Sequence, residues 1–241
     1  MSLLCSEQDL FRTCCIYISK QVNFLAHYHF DHRKDDPHFN VGLLFPDLLR
    51  NFIPGARFHE LGASALGSEA KSLYDGCLQH IASDKIFHNW SGFTEGMSVA
   101  GDSFKESAEP FERLFFLNHI FVELVIDKML VNEHPDLPEL LYADFDQADR
   151  GVFDEIMQAL EIPEPERFHA GYERFMEVQY LRKYKEYSNI AYALGRICTK
   201  MGLKPFTEYQ KSYLHTVAER IEEFESTRLD QLHEALQQNR I

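Results

Sequence analysis

Apolar residues in this chain recur at intervals of three and four, and no segment alternates with period two between hairpin turns. That periodicity is the signature of amphipathic helices and excludes a half-buried sheet. The cleanest stretch is Phe206, Tyr209, Tyr213, Val217, Ile221, Phe224, Leu229, Leu232 and Leu236, which predicts one long helix near the C-terminus. Similar spacing runs through 65–90, 111–130, 153–160, 166–187 and 190–201, with Pro54-Gly55, Pro135, Pro138, Pro163, Pro165, Gly202 and Pro205 as punctuation. With 241 residues, 45% of them hydrophobic, there is enough apolar material for a sizeable core, and no repeat or long polar linker divides the chain. The expectation is an all-α, single-domain helical bundle of about seven or eight helices.

Composition narrows the partners. The 24 Lys and Arg against 38 Asp and Glu leave a net charge of −14, which argues against broad contact with nucleic acid or with an anionic membrane surface, although a local basic patch remains able to bind anions. Even the apolar run 115–130 is interrupted by Asn118, His119, Glu123 and Asp127, so no membrane span of about 18 apolar residues is expected. The five cysteines (Cys5, Cys14, Cys15, Cys77 and Cys198) are odd in number and lack a CxxC pair, which points to a reducing cytoplasm. The first residues have no basic start, and Glu7, Asp9 and Arg12 break the apolar run that a signal peptide requires.

The strongest chemical signal is His80-x3-Asp84-x3-His88, because residues four apart on an α-helix drift by only about 40° and share a face. His119-x3-Glu123-x3-Asp127 repeats the geometry inside an otherwise apolar helix, where ionisable groups are costly unless paired or metal-bound. Two such helices face to face would form a metal cage. On spacing alone, a solvated face or a set of His–carboxylate pairs competes with that reading. Upstream lie His27, His29, His32 and His38, and then Asp47 among Leu43, Leu44, Phe45, Leu48 and Leu49. Asp47 reads equally as a first-turn acid behind Pro46 and as a ligand.

Asn23-Phe24-Leu25-Ala26-His27, then Gly42-x4-Asp47, then Gly76-x3-His80-x3-Asp84 resemble the N-terminal half of the bacterial acyl carrier protein phosphodiesterases. The likeness continues through HPDLPELLYADFD and YLRKYKEYSNIAYALGRI and covers most of residues 22 to 205, resting on order and spacing together. The resemblance implies an all-α fold related to the HD-domain phosphohydrolases, a divalent metal (typically Mn²⁺), and cleavage of the 4'-phosphopantetheine arm from holo-acyl carrier protein. It also implies metal ligation by His27, Asp47, His80 and Asp84. Two departures stand out: Ile81 replaces the arginine after the motif histidine, and Phe87-His88 replaces a threonine-aspartate pair, so His88 keeps a ligating type where an aspartate is lost. The family's later Asp-His pair has no identical counterpart. Without gaps its register falls on Glu123-Leu124, and shifted registers fall on Asn118-His119 or Asp127-Lys128; Glu123, with His119 one turn before it, is the preferred fifth ligand.

A His/carboxylate set without thiolate suits Mn²⁺, Fe²⁺ or Mg²⁺ better than Zn²⁺. Asp84 or His88 would accept the proton of a metal-bound water, and Arg182, Lys183 and Lys185 would bind a phosphate or an acidic protein while Tyr180, Tyr184 and Tyr187 pack inward. The expected partner is acyl carrier protein or a small phosphoester. The alternative is a catalytically degenerate helical binding module that keeps the fold. Because the likeness begins at Asn23, residues 1–21 are expected to be an extension outside the functional fold 22–241, with Val22 marking an internal GUG start.

Overall fold

A computed structural model describes residues 23–61 and 66–238; the expected N-terminal extension and Val22 lie outside the described residues. Among the described residues the chain is all-α, without strands. Its helices are α1 (Phe24–Asp31), α2 (Pro37–Gly42), α3 (Phe45–Phe52), α4 (Ser68–Asn89), α5 (Ser91–Lys105), α6 (Leu114–Glu133), α7 (Leu137–Gln147), α8 (Arg150–Ala159), α9 (Pro165–Val178), α10 (Tyr187–Lys200), α11 (Glu208–Glu225) and α12 (Leu229–Gln237), with a 3-10 turn at Tyr180–Lys183.

Twelve α-helices replace the seven or eight expected, for two physical reasons. First, α1 is buried almost all round, with Phe24, Leu25, Ala26, His27, Tyr28, Phe30 and Asp31 all inside, so it carries no apolar stripe to betray it. Second, sharp corners divide stretches whose periodicity looks continuous. Trp90 turns to an extended backbone with ψ 133 and ends α4, and its indole lies where a Cβ on Gly92 would stand, so α5 starts at once in a new direction. The predicted long C-terminal helix breaks at residues 226–228, where the Arg228 guanidinium donates to the Phe224 carbonyl at 2.7 Å and satisfies an end of α11.

The buried apolar side chains form one cluster with α6 running through it. Phe116, Leu117, Ile120, Phe121, Val122, Leu124, Val125, Ile126, Leu130 and Val131 are all inside, and α1, α5, α10 and α11 pack around α6. The closest crossing is that of α2 with α4. A Cβ on Gly42 would overlap the Leu73 carbonyl oxygen, and one on Gly76 would overlap that of Phe39, so only glycines allow the two backbones to meet. Both glycines belong to the spacing that carries the family resemblance, and their contact sets the height of α4 against the segment leading into α3. No described helix is long and apolar enough to cross a membrane.

Candidate functional site

Four helices bring imidazoles and carboxylates into one continuous cluster. On α1, the first-turn amides of Leu25 and Ala26 donate to the buried Asp127 carboxylate of α6 at 3.2 and 2.9 Å. Asp127 therefore caps a neighbouring helix, and the adjacent His27 takes its position from that bond. Burial pushes the Asp127 carboxyl well up against the pull of the two amides, with Glu123 adding to the rise. On α3, Pro46 is the second residue and Asp47 lies in the first turn, so the cap position anticipated for Asp47 coexists with an inward one: its Oδ1 is 3.7 Å from Nε2 of His80. The His80 ring in turn lies 4.1 Å, centroid to centroid, from that of His27.

One turn along α4, Asp84 receives the Nδ1 of His88 at 3.0 Å, and the same nitrogen lies 2.8 Å from the Asp84 carbonyl. Because a carbonyl only accepts, Nδ1 carries the proton and Nε2 of His88 faces the other way. There it meets Nε2 of His119 at 3.0 Å and Oε1 of Glu123 at 3.0 Å, while His119 Nε2 and Glu123 Oε1 are 2.9 Å apart. Among the described residues, His88, His119 and Glu123 are the group whose ligating atoms all lie within 4.8 Å of one another.

Burial and charge explain the protonation of the cluster. His27, Asp47, His80, Asp84, His119 and Glu123 are buried, while the His88 side chain is 19% exposed. Burial, aided by His80, pushes His27 well below the usual imidazole range, leaving it neutral. Burial alone would raise Asp84, but the bond from His88 and the nearby rings of His80 and His27 hold it well below the usual carboxylate range. Burial opposes charge on His88 too, yet its bonds to Asp84 and Glu123 push it up to about 10. His119 and His88 likewise hold Glu123 low against the effect of burial. Phe93, at the start of α5, closes one wall, lying edge-on to His88 at 5.0 Å and to His119 at 4.9 Å.

The other sequence candidates go elsewhere. His29 stacks on His134 at 4.5 Å, His32 stacks on Tyr28 at 5.3 Å, and His38 accepts the Asp149 amide at 3.1 Å. In the aromatic-basic stretch, Leu181 and Tyr184 are buried, and the Tyr180 ring packs against Phe175 at 5.7 Å and Tyr184 at 5.8 Å. Lys183 and Lys185 are exposed, whereas Arg182 is engaged with Glu139 at 2.8 Å. His119 is the group that the ligand set read from sequence leaves out, although its spacing from Glu123 in an apolar helix was the signal for it.

Comparison with family models, with curated proteins and with solved structures finds no match for this chain.

Proposed function

We propose that this protein is a metal-dependent phosphodiesterase or phosphohydrolase, similar to the enzymes that release 4'-phosphopantetheine from holo-acyl carrier protein. The observation that carries the reading is the buried cluster itself, in which neutral imidazole and ionised carboxylate coincide. The donor set fits a divalent cation: among the described residues His27 Nε2 is buried without a hydrogen-bond partner, and a buried polar atom left so costs about 1–3 kcal/mol. His27, Asp47, His80 and Asp84 would hold it, with Mn²⁺ the best match and Fe²⁺ or Mg²⁺ close to it. Bound there, a divalent cation supplies polarisation of a phosphoryl oxygen and a water acidified toward neutral pH.

The residues divide the remaining work. His27 is kept neutral by burial and is therefore a ready ligand. Asp84, held ionised, is the proton acceptor. His88 has both ring nitrogens engaged, so it orients the Asp84 carboxylate rather than taking the proton itself. Exposed Lys183 and Lys185 offer cations to an acidic protein substrate.

The test is metal analysis of the purified chain, followed by Mn²⁺-dependent hydrolysis of holo-acyl carrier protein beside a small phosphodiester. Stoichiometric metal and hydrolysis of either substrate support the reading, and the substrate preferred names the class. A chain that binds no divalent cation overturns it and leaves a set of His–carboxylate pairs stapling four helices, which is the catalytically degenerate binding module.

A further inference from the structure

We infer that His88, His119 and Glu123 form a second, separate cation site, a two-histidine, one-carboxylate face for an octahedral divalent ion, distinct from the His27, Asp47, His80 and Asp84 set. Three observations carry it. The first is shape. The three donor atoms form a nearly equilateral triangle with edges of 3.0, 3.0 and 2.9 Å. Adjacent ligands of an octahedral ion with bonds of about 2.1 Å are roughly 3.0 Å apart, against roughly 3.4 Å for a tetrahedral ion of the same bond length. The triangle therefore matches one face of an octahedron, as Mn²⁺ or Fe²⁺ prefers.

The second is the support around the triangle. Ligating imidazoles donate their other ring nitrogen to a carboxylate or carbonyl, which fixes the tautomer and the ring. His88 does both, with Nδ1 at 3.0 Å from the Asp84 carboxylate and 2.8 Å from its carbonyl. The third is the buried Glu123 carboxylate: Oε1 is a corner of the triangle, and Oε2 has no hydrogen-bond partner among the described residues. The stacked His88 and His119 rings, 4.8 Å apart at 25°, and the edge of Phe93 hold the face rigid.

The same geometry keeps the two sites apart. The imidazole of His88 stands between the triangle and Asp84, so an ion on Nε2 is roughly 6 Å from the Asp84 oxygen that Nδ1 holds, too far for that oxygen to ligate it. The ion of the triangle is thus an organising one. It ties α4 to α6 and orients Asp84 through His88.

This inference takes the neighbouring set as the proposed function reads it, and the experiment tells the two apart. Metal content after Mn²⁺ loading is measured on the full chain and on His119→Ala, Glu123→Gln and His80→Ala, with far-UV circular dichroism as the folding control. Two equivalents in the wild type, falling to one in each variant, support both readings. One equivalent that survives His119→Ala and Glu123→Gln but not His80→Ala overturns the second site and leaves the proposed function. One equivalent that survives His80→Ala but not the other two supports the triangle and removes the first site. A single equivalent lost in all three means one shared ion and overturns the separation, and no metal at all overturns both. Should a variant not fold, electron paramagnetic resonance of the Mn²⁺-loaded wild type still decides: two uncoupled six-coordinate signals are expected, and an exchange-coupled pair or a single site refutes the inference.

Discussion

Asp84 does two jobs at once, as proposed ligand and proton acceptor and as the group that fixes His88, and its removal should separate them from the fold. Asp84→Ala is expected to lower metal content, to abolish phosphodiesterase activity, and to cost about 2 kcal/mol in urea unfolding because it leaves the half-buried His88 ring without the carboxylate that accepts from its Nδ1, while far-UV circular dichroism stays helical. Unchanged metal stoichiometry would refute the ligand assignment. A second residue-scale test lies away from the cluster. Glu225 is fully buried, neither carboxylate oxygen has a hydrogen-bond partner, and burial, opposed by Arg228 and aided by Glu95, pushes it up to about 8. An acid raised in the folded state contributes most stability below its unfolded value near 4.5, and that contribution is lost as pH rises through about 8. Unfolding free energy should therefore drop by a few kcal/mol between pH 5 and pH 9, and Glu225→Gln should flatten that part of the profile. An identical slope in the variant would assign the pH dependence to other groups.

At the scale of elements, the site depends on how closely α4 approaches α2. Gly76→Ala places a methyl group against the Phe39 carbonyl, a rigid neighbour that moves only with its helix. The expected cost is about 2–4 kcal/mol in chemical denaturation, with weaker metal binding as well, since α4 carries His80 and Asp84 away from Asp47 on α3. A variant with wild-type stability would mean that the crossing yields easily. The helix-to-helix cap from Asp127 makes a matching case. Asp127→Asn keeps one acceptor oxygen for the amides of Leu25 and Ala26, whereas Asp127→Ala keeps none, so the alanine variant should be less stable by about 1 kcal/mol or more.

Over the whole molecule, charge works against the proposed protein substrate. A net charge of −14 repels an acidic carrier protein, so productive docking falls to a local patch, and Lys183 and Lys185 are exposed cations of the aromatic-basic stretch, Arg182 being paired with Glu139. Lys183→Glu with Lys185→Glu should reduce kcat/KM for holo-acyl carrier protein about tenfold and leave hydrolysis of a small phosphodiester within about twofold, because steering charges act on encounter rather than on chemistry. Equal loss on both substrates would count against docking and point to damage at the site.

Periodicity by itself determined the fold class, because spacing of three and four places apolar groups on one side of a helix and on no other regular structure. It also determined the two trios, since i, i+4 neighbours share a face wherever the helix is put. What periodicity could not carry was the set of corners at Trp90 and at 226–228, which arise from an indole lying over Gly92 and a guanidinium capping Phe224, contacts that leave the apolar spacing untouched. The trios themselves were divided only in three dimensions. His119 and Glu123 turned to meet His88, whereas Asp127, on the same stripe, went to the amides of α1. Sequence spacing fixes direction within one helix; which partner waits in that direction depends on how separate helices pack, and that is decided by buried contacts between residues as far apart as Leu25 and Asp127, 102 positions.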